Sequence, residues 1–125
     1  YDARARGAPP MRQAISVEGS EGNIWSRNAG AGTKYKNECT LRSLDSFGCY
    51  EPGDYVARVA PTPLLFIVAK NDTRCPAVDQ LAAYERAREP KKLVMLEGGH
   101  FDPYESQRDN ATNAALAWFQ QHLKP

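Results

Sequence analysis

The chain has 125 residues, a size that suits one domain with a hydrophobic core. Its 16 basic and 15 acidic residues give a net charge of +1, so it lacks the basic surface typical of proteins that bind nucleic acids or anionic membranes. The longest apolar run, Leu64–Ala69, is far too short to span a bilayer. The chain starts at Tyr1 without a methionine or a signal-peptide pattern, so we expect a piece of a longer chain or a processed product.

Residues 1–52 carry weak hydrophobic periodicity and many glycine, serine and asparagine residues. Only residues 38–45 have the composition of a helix. We predict an irregular or cap-like segment that either passes over a site or needs further parts of a fold to pack against.

The first strong signal is the continuous apolar run at residues 62–70, "TPLLFIVAK", whose length is typical of a strand buried on both faces. The turn formers of "NDTRCP" end it, and Pro76 suits the first turn of a helix. Apolar residues then recur every three positions from Val78 to Ala87, which predicts a helix that ends before Glu89 and Pro90.

A second buried-type strand follows at residues 91–97, "KKLVMLE", and apolar residues between positions 111 and 123 predict a closing amphipathic helix. Strand, helix, strand and helix in this order indicate an α/β fold with two parallel strands joined by a right-handed crossover. Loops that follow the carboxyl ends of parallel strands lie along one edge of the sheet, where such folds bind their ligands.

Asp72 follows the first strand and His100 follows the second, so the predicted sheet brings two residues 28 positions apart to neighbouring loops. A neutral imidazole is an effective base near neutral pH when a carboxylate fixes its tautomer. Gly98 and Gly99 allow the backbone to turn without a Cβ penalty, so that His100 can point away from the sheet edge. We therefore predict that Asp72 and His100 are a catalytic acid and base.

Simpler interpretations exist for both residues. His100 could be an ordinary polar loop residue, and Asp72 suits a turn or a helix cap. Asp79, inside the predicted helix, and Asp102, too close in sequence to reach the far side of His100, are the competing acids. We interpret His122 as a partly buried residue at a helix end.

The three cysteines, Cys39, Cys49 and Cys75, are irregularly spaced and form no C-x-x-C motif. We predict reduced thiols in a cytoplasmic protein, with no disulfide framework, no metal and no cofactor. Cys75 is interpreted as a small apolar residue near the helix start. Glycosylation sequons at Asn71 and Asn110 leave secretion open.

"PTPLLFIVAKNDTRCP", "AYERAREPKKLVMLEGGHFDPY" and "AALAWFQQHL" together resemble the carboxyl-terminal part of α/β-hydrolases, over residues 51–124 and more weakly upstream. The resemblance is to the dienelactone-hydrolase-like proteins and their Xaa-Pro dipeptidyl-peptidase-like and polyketide-transferase-like relatives. It implies that residues 53–125 are the carboxyl-terminal portion of the fold, holding its last two strands. It also implies a serine hydrolase for esters, lactones or thioesters, with Asp72 as triad acid and His100 as triad base.

The family's G-x-S-x-G nucleophile motif does not occur in this sequence. We therefore expect the chain to be inactive alone and to pair with an upstream part of the same fold, or with itself. Its substrate in a complete enzyme would be a small ester-like molecule. An acyl (polyketide) transferase of the same fold and a non-catalytic, truncated interaction module are the alternatives.

Overall fold

The computed structural model describes residues 6–123; residues 1–5, which start the predicted irregular segment, and residues 124–125 lie outside the described residues. The chain divides after Tyr50 into two compact units. Within the described range, no helix is long and apolar enough to cross a membrane.

The first unit contains short elements. Strand β1 (Arg12–Gln13) pairs antiparallel with strand β2 (Cys39–Thr40), and two helices, α1 (Glu21–Ala29) and α2 (Leu41–Gly48), follow these strands in turn. Both helices begin at a side-chain cap: the Ser20 hydroxyl accepts the Asn23 N–H at 3.3 Å, and the Thr40 hydroxyl accepts the Ser43 N–H at 3.2 Å.

The helix predicted at residues 38–45 is present as α2, shifted towards the carboxyl end. The prediction that this part of the chain holds a single helix was wrong, because α1 also forms. Helix α1 is stabilised by its Ser20 cap rather than by an apolar stripe, so hydrophobic periodicity did not reveal it. The cap-like role of residues 1–52 stays a prediction.

The second unit has the predicted strand–helix–strand–helix order. Strand β3 and strand β4 are joined by helix α3, and helix α4 closes the chain. The elements are, in chain order, a 3₁₀ helix at Pro52–Arg58, β3 at Leu64–Ala69, α3 at Ala77–Arg86, β4 at Lys91–Leu96, a 3₁₀ turn at Asp102–Tyr104 and α4 at Arg108–His122.

Strands β3 and β4 pair in parallel over six residues, from Leu64 opposite Lys91 to Ala69 opposite Leu96. The pairing continues past the strands, because the Lys70 N–H donates to the Leu96 carbonyl at 2.9 Å and the Asn71 N–H donates to the Gly98 carbonyl at 3.0 Å. The two loops that carry the predicted site residues are therefore held side by side at one edge of the sheet.

The core of the second unit surrounds the carboxyl ends of both strands. Val68, Ala69 and Leu96 are buried there, and Trp118 of α4 is also buried. The Tyr84 ring of α3 packs edge-on against Phe66 of β3, with ring centroids 5.6 Å apart. The buried residues of β3 and β4 therefore lie next to the loops that follow these strands.

Candidate active site

Asp72 lies in the turn that follows β3, and its carboxylate shapes that turn. Its Oδ1 atom accepts the backbone N–H groups of Arg74 at 2.9 Å and Cys75 at 2.8 Å. The role of turn former expected for Asp72 is thus present, and it serves the site directly. With Oδ1 anchored to the backbone, the other oxygen, Oδ2, is held in a fixed direction.

His100 follows β4 after a sharp change of chain direction at Gly98, where φ is +96°. A Cβ atom there would lie 2.8 Å from the Cβ of Asp102, so only glycine fits without displacement. Asp102 then holds the loop: its carboxylate accepts the Gly99 N–H at 2.7 Å and the Ser106 hydroxyl. The predicted use of glycine to turn the strand end is confirmed at Gly98.

The two predicted residues meet in the structure. Nδ1 of His100 lies 3.0 Å from Oδ2 of Asp72, with 26% of the histidine side chain and 7% of the aspartate side chain exposed. The predicted juxtaposition of Asp72 and His100 is confirmed; their catalytic role stays a prediction. A carboxylate at Nδ1 favours the tautomer in which Nδ1 carries the proton, and Nε2 is then the basic nitrogen.

Burial disfavours the charged form of Asp72, but the N–H of Cys75, the His100 ring and the N–H of Arg74 outweigh it and lower the pKa of this carboxyl. Asp72 is therefore a carboxylate at neutral pH, able to accept a hydrogen bond from the imidazole. The pKa of Asp102 is also lowered, by the Ser106 hydroxyl and the Gly99 N–H.

The competing residues lie elsewhere. Asp79 is in the first turn of α3, and Asp102 directs its carboxylate to Gly99 and Ser106 rather than to the ring of His100. His122 is in the last turn of α4 against Trp118, with ring centroids 4.0 Å apart, as the helix-end interpretation expects.

Three further side chains that the sequence interpretation did not include surround the pair. Gln80 Nε2 donates to Asp72 Oδ2 at 3.4 Å and to the Cys75 carbonyl at 2.6 Å. The Phe101 ring meets the His100 ring edge-on, with centroids 4.7 Å apart, and the Arg74 guanidinium lies 5.8 Å from the Phe101 centroid. Phe101 could have been found from its position next to His100, whereas nothing in the sequence marks Gln80.

Cys75 also belongs to this neighbourhood. Cys75 lies just before the start of α3, near the helix start as expected, and it is exposed. Its sulfur, a carboxylate oxygen of Asp72 and a ring nitrogen of His100 all lie within 4.8 Å of one another. The site therefore offers an oriented base and, beside it, a thiol.

No protein-family model matches the sequence. The chain is 32% identical, over 93 residues or 74% of its length, to a polyketide transferase of Gibberella fujikuroi, of which the alignment covers 29%. Over 69 residues, or 54% of the chain, it is 32% identical to a thiohydrolase of Eupenicillium brefeldianum, of which 22% is covered. It superposes on the crystal structure of the α/β-hydrolase GrgF from Penicillium sp. sh18 with a TM-score of 0.80 and 25% identity, over 97% of this chain and 45% of that one.

The chain spans less than a third of the length of these curated relatives and about half of the solved GrgF chain. Its parallel β3–β4 pair agrees with the last two strands that the sequence resemblance implied. The chain thus has the fold of the carboxyl-terminal portion of α/β-hydrolases, and its homologues include a polyketide transferase and a thiohydrolase.

Proposed function

We propose that this chain supplies the acid and the base of the catalytic triad of a serine α/β-hydrolase that acts on esters, lactones or thioesters. The observation that carries the proposal is the 3.0 Å contact between His100 Nδ1 and Asp72 Oδ2 at the carboxyl ends of adjacent parallel strands. This is the position at which such sheets bind their ligands.

In the proposed reaction, Nε2 of His100 takes the proton of a serine hydroxyl as that oxygen attacks the substrate carbonyl. The imidazolium that forms is stabilised by the largely buried Asp72 carboxylate, whose own position is fixed by the turn amides. His100 then returns the proton to the leaving group. The sequence contains no G-x-S-x-G motif, so the nucleophile belongs to the remainder of the hydrolase fold.

Acyl transfer is the second candidate reaction, and the names of two homologues, a polyketide transferase and a thiohydrolase, favour acyl thioesters as the substrate class. Hydrolysis and acyl transfer share the acyl-enzyme step and differ only in the acceptor that His100 deprotonates afterwards. Comparing water with an added alcohol as acceptor of a synthetic acyl thioester would separate the two reactions.

The test uses a complete enzyme that contains this chain together with a serine nucleophile. We expect His100→Ala and Asp72→Asn each to lower turnover of an acyl thioester about 10⁴-fold, since the members of a triad act as a unit. Asp79→Asn and His122→Ala are the matched controls, because Asp79 and His122 lie on helices α3 and α4.

If both site variants kept more than about a tenth of the turnover, the assigned roles would be excluded, because acid–base assistance alone contributes roughly 10²–10⁴-fold to the rate. That result would instead favour a non-catalytic interaction module. Circular dichroism of each variant verifies that a lost activity is not a lost fold.

The proposal extends to the partner of this chain. Both strands have the continuous hydrophobic sequence that is typical of strands buried on two faces. Several of their side chains are nevertheless only half-buried: Leu64, Leu65 and Phe66 of β3, and Leu93 and Val94 of β4. Among the described residues these two strands form a sheet of their own, with outer edges that another strand could pair with. We propose that the rest of the hydrolase fold covers this surface, and that the chain alone associates with itself.

Expression of residues 1–125 alone tests this extension. Size-exclusion chromatography should show self-association, and neither labelling by a fluorophosphonate probe nor hydrolysis of a p-nitrophenyl ester should occur. Adding the complementary part of the hydrolase fold should convert the oligomer to a single complex. A monodisperse monomer that is labelled at a serine and hydrolyses the ester would refute the extension.

A further inference from the structure

Three side chains of the types that bind metal ions converge at the edge of the sheet. Asp72 and Cys75 come from the turn after β3, and His100 comes from the loop after β4. Their ligand atoms lie within 4.8 Å of one another, and no other group of three such side chains occurs in the part of the chain that the structure describes. This cluster adds a thiol to the acid and base described above.

The spacing of the cluster suits a tetrahedral ion. Zinc bonds to nitrogen, oxygen and sulfur place neighbouring ligand atoms about 3.4–3.6 Å apart. His100 Nδ1 and Asp72 Oδ2 are 3.0 Å apart, so they would separate slightly around an ion, and the exposed Cys75 would move its sulfur towards them from within 4.8 Å. The N–H bond from Cys75 to Asp72 Oδ1 holds these two ligands in one turn and leaves Oδ2 directed at the imidazole.

The charges and ligand types select the kind of ion. A thiolate and an imidazole favour zinc over magnesium or calcium, which prefer oxygen ligands. One thiolate and one carboxylate also neutralise a divalent cation, with the imidazole as a neutral third ligand. The three ligands leave a fourth tetrahedral position for water.

We propose that Asp72, Cys75 and His100 form a binding site for one Zn²⁺ ion. On binding, the Cys75 thiol releases its proton to solvent and the ring proton of His100 moves from Nδ1 to Nε2, so one proton is released per ion. Nε2 then carries the proton and has no lone pair to act as a base. This consequence, inhibition by zinc, rests on the proposed function, whereas the binding site does not.

Binding is measured on residues 1–125 without any turnover, so an inactive chain does not affect the result. Zn²⁺ is titrated in competition with a chromophoric chelator, and proton release is followed with a pH indicator in weak buffer. We expect one ion per chain and one proton per ion. Cys75→Ser and His100→Ala should each weaken binding at least about 100-fold, more than the loss of an outer contact to a ligand.

Cys49→Ser is the matched control, because Cys49 is also exposed but lies in the first unit. With Co²⁺ as a spectroscopic probe, the thiolate-to-metal absorption should persist in Cys49→Ser and disappear in Cys75→Ser. Unchanged Zn²⁺ affinity in Cys75→Ser, or loss of the cobalt absorption in Cys49→Ser, would overturn the proposal. Should His100→Ala fail to fold, the exposed Cys75→Ser substitution decides the outcome.

Discussion

Residues 6–50 and residues 51–123 differ in what their interiors contain. In the second unit the residues buried as a whole are hydrophobic, namely Val56, Val68, Ala69, Ala87, Leu96 and Trp118, whereas at the site only the side chain of Asp72 is largely buried. In the first unit the buried residues within the described range are Gly22 and Asn23. Apolar burial therefore stabilises the second unit, whereas hydrogen bonds between nearby groups stabilise the first.

The first unit relies on a small polar network. The Asn37 side chain accepts the Ser16 N–H at 3.0 Å and the Ser16 hydroxyl at 3.1 Å, and it donates to the Ser16 carbonyl at 2.8 Å. The buried Asn23 adds a bond to the Ser16 hydroxyl at 3.4 Å. Networks of this kind leave no periodic pattern in a sequence, and this explains why hydrophobic periodicity located the elements of the second unit and not α1.

The largest expected effect tests the apolar core of the second unit. Trp118→Ala should lower the free energy of unfolding by about 3–5 kcal/mol, because a buried indole leaves a cavity. Its neighbour Phe119 is 55% exposed, so Phe119→Ala should cost much less. Urea unfolding followed by circular dichroism measures both variants. Equal losses for the two would contradict the conclusion that apolar burial stabilises the second unit.

The next effect concerns the turn that carries the site. Gly98→Ala should destabilise the chain by about 1–3 kcal/mol, because φ is +96° there and the new Cβ would press against Asp102. Gly48→Ala is the control, since a Cβ at Gly48 meets nothing within 4 Å. Nuclear magnetic resonance of the His100 ring should show the Nδ1 tautomer in the wild type and a weaker preference in Gly98→Ala. An unaltered ring signal would show that the turn does not position His100.

A substitution with a similar cost in the free energy of unfolding tests the polar network of the first unit. Asn37→Ala removes all three bonds to Ser16, and we expect it to cost about 1–2 kcal/mol because the network is partly exposed. The control is Asn28→Ala, an exposed position on α1. Hydrogen exchange of amides in residues 6–50 measures the loss. Faster exchange throughout residues 51–123 as well would mean that the two units do not unfold separately.

The smallest effect is that of a helix cap. Ser20→Ala should weaken α1 by about 1 kcal/mol, because the serine hydroxyl accepts the Asn23 N–H at the start of the helix. Ser20→Asp should restore protection from hydrogen exchange, since aspartate caps helices equally well. No difference between the alanine and aspartate variants would assign the stability of α1 to something other than its cap.

The sequence by itself determined the order of the strands and α-helices from residue 62 onward, because runs such as "LLFIVA" and "LVML" have few favourable states other than buried strands. It also placed Asp72 and His100 at one edge of the sheet, since parallel strands end on the same side. These are consequences of local pattern and connection rules, which need no knowledge of distant contacts.

Only the tertiary structure decided which atoms meet. The pairing register of β3 and β4 and the conformations of two loops bring Nδ1 of His100 to Oδ2 of Asp72, and the same loops bring Cys75 beside them. Gln80 joins the site because its position in α3 lets its side chain donate to Asp72 and to the Cys75 carbonyl. Such distances depend on the backbone conformations of many residues together, and a local sequence pattern does not specify those conformations precisely enough to predict them.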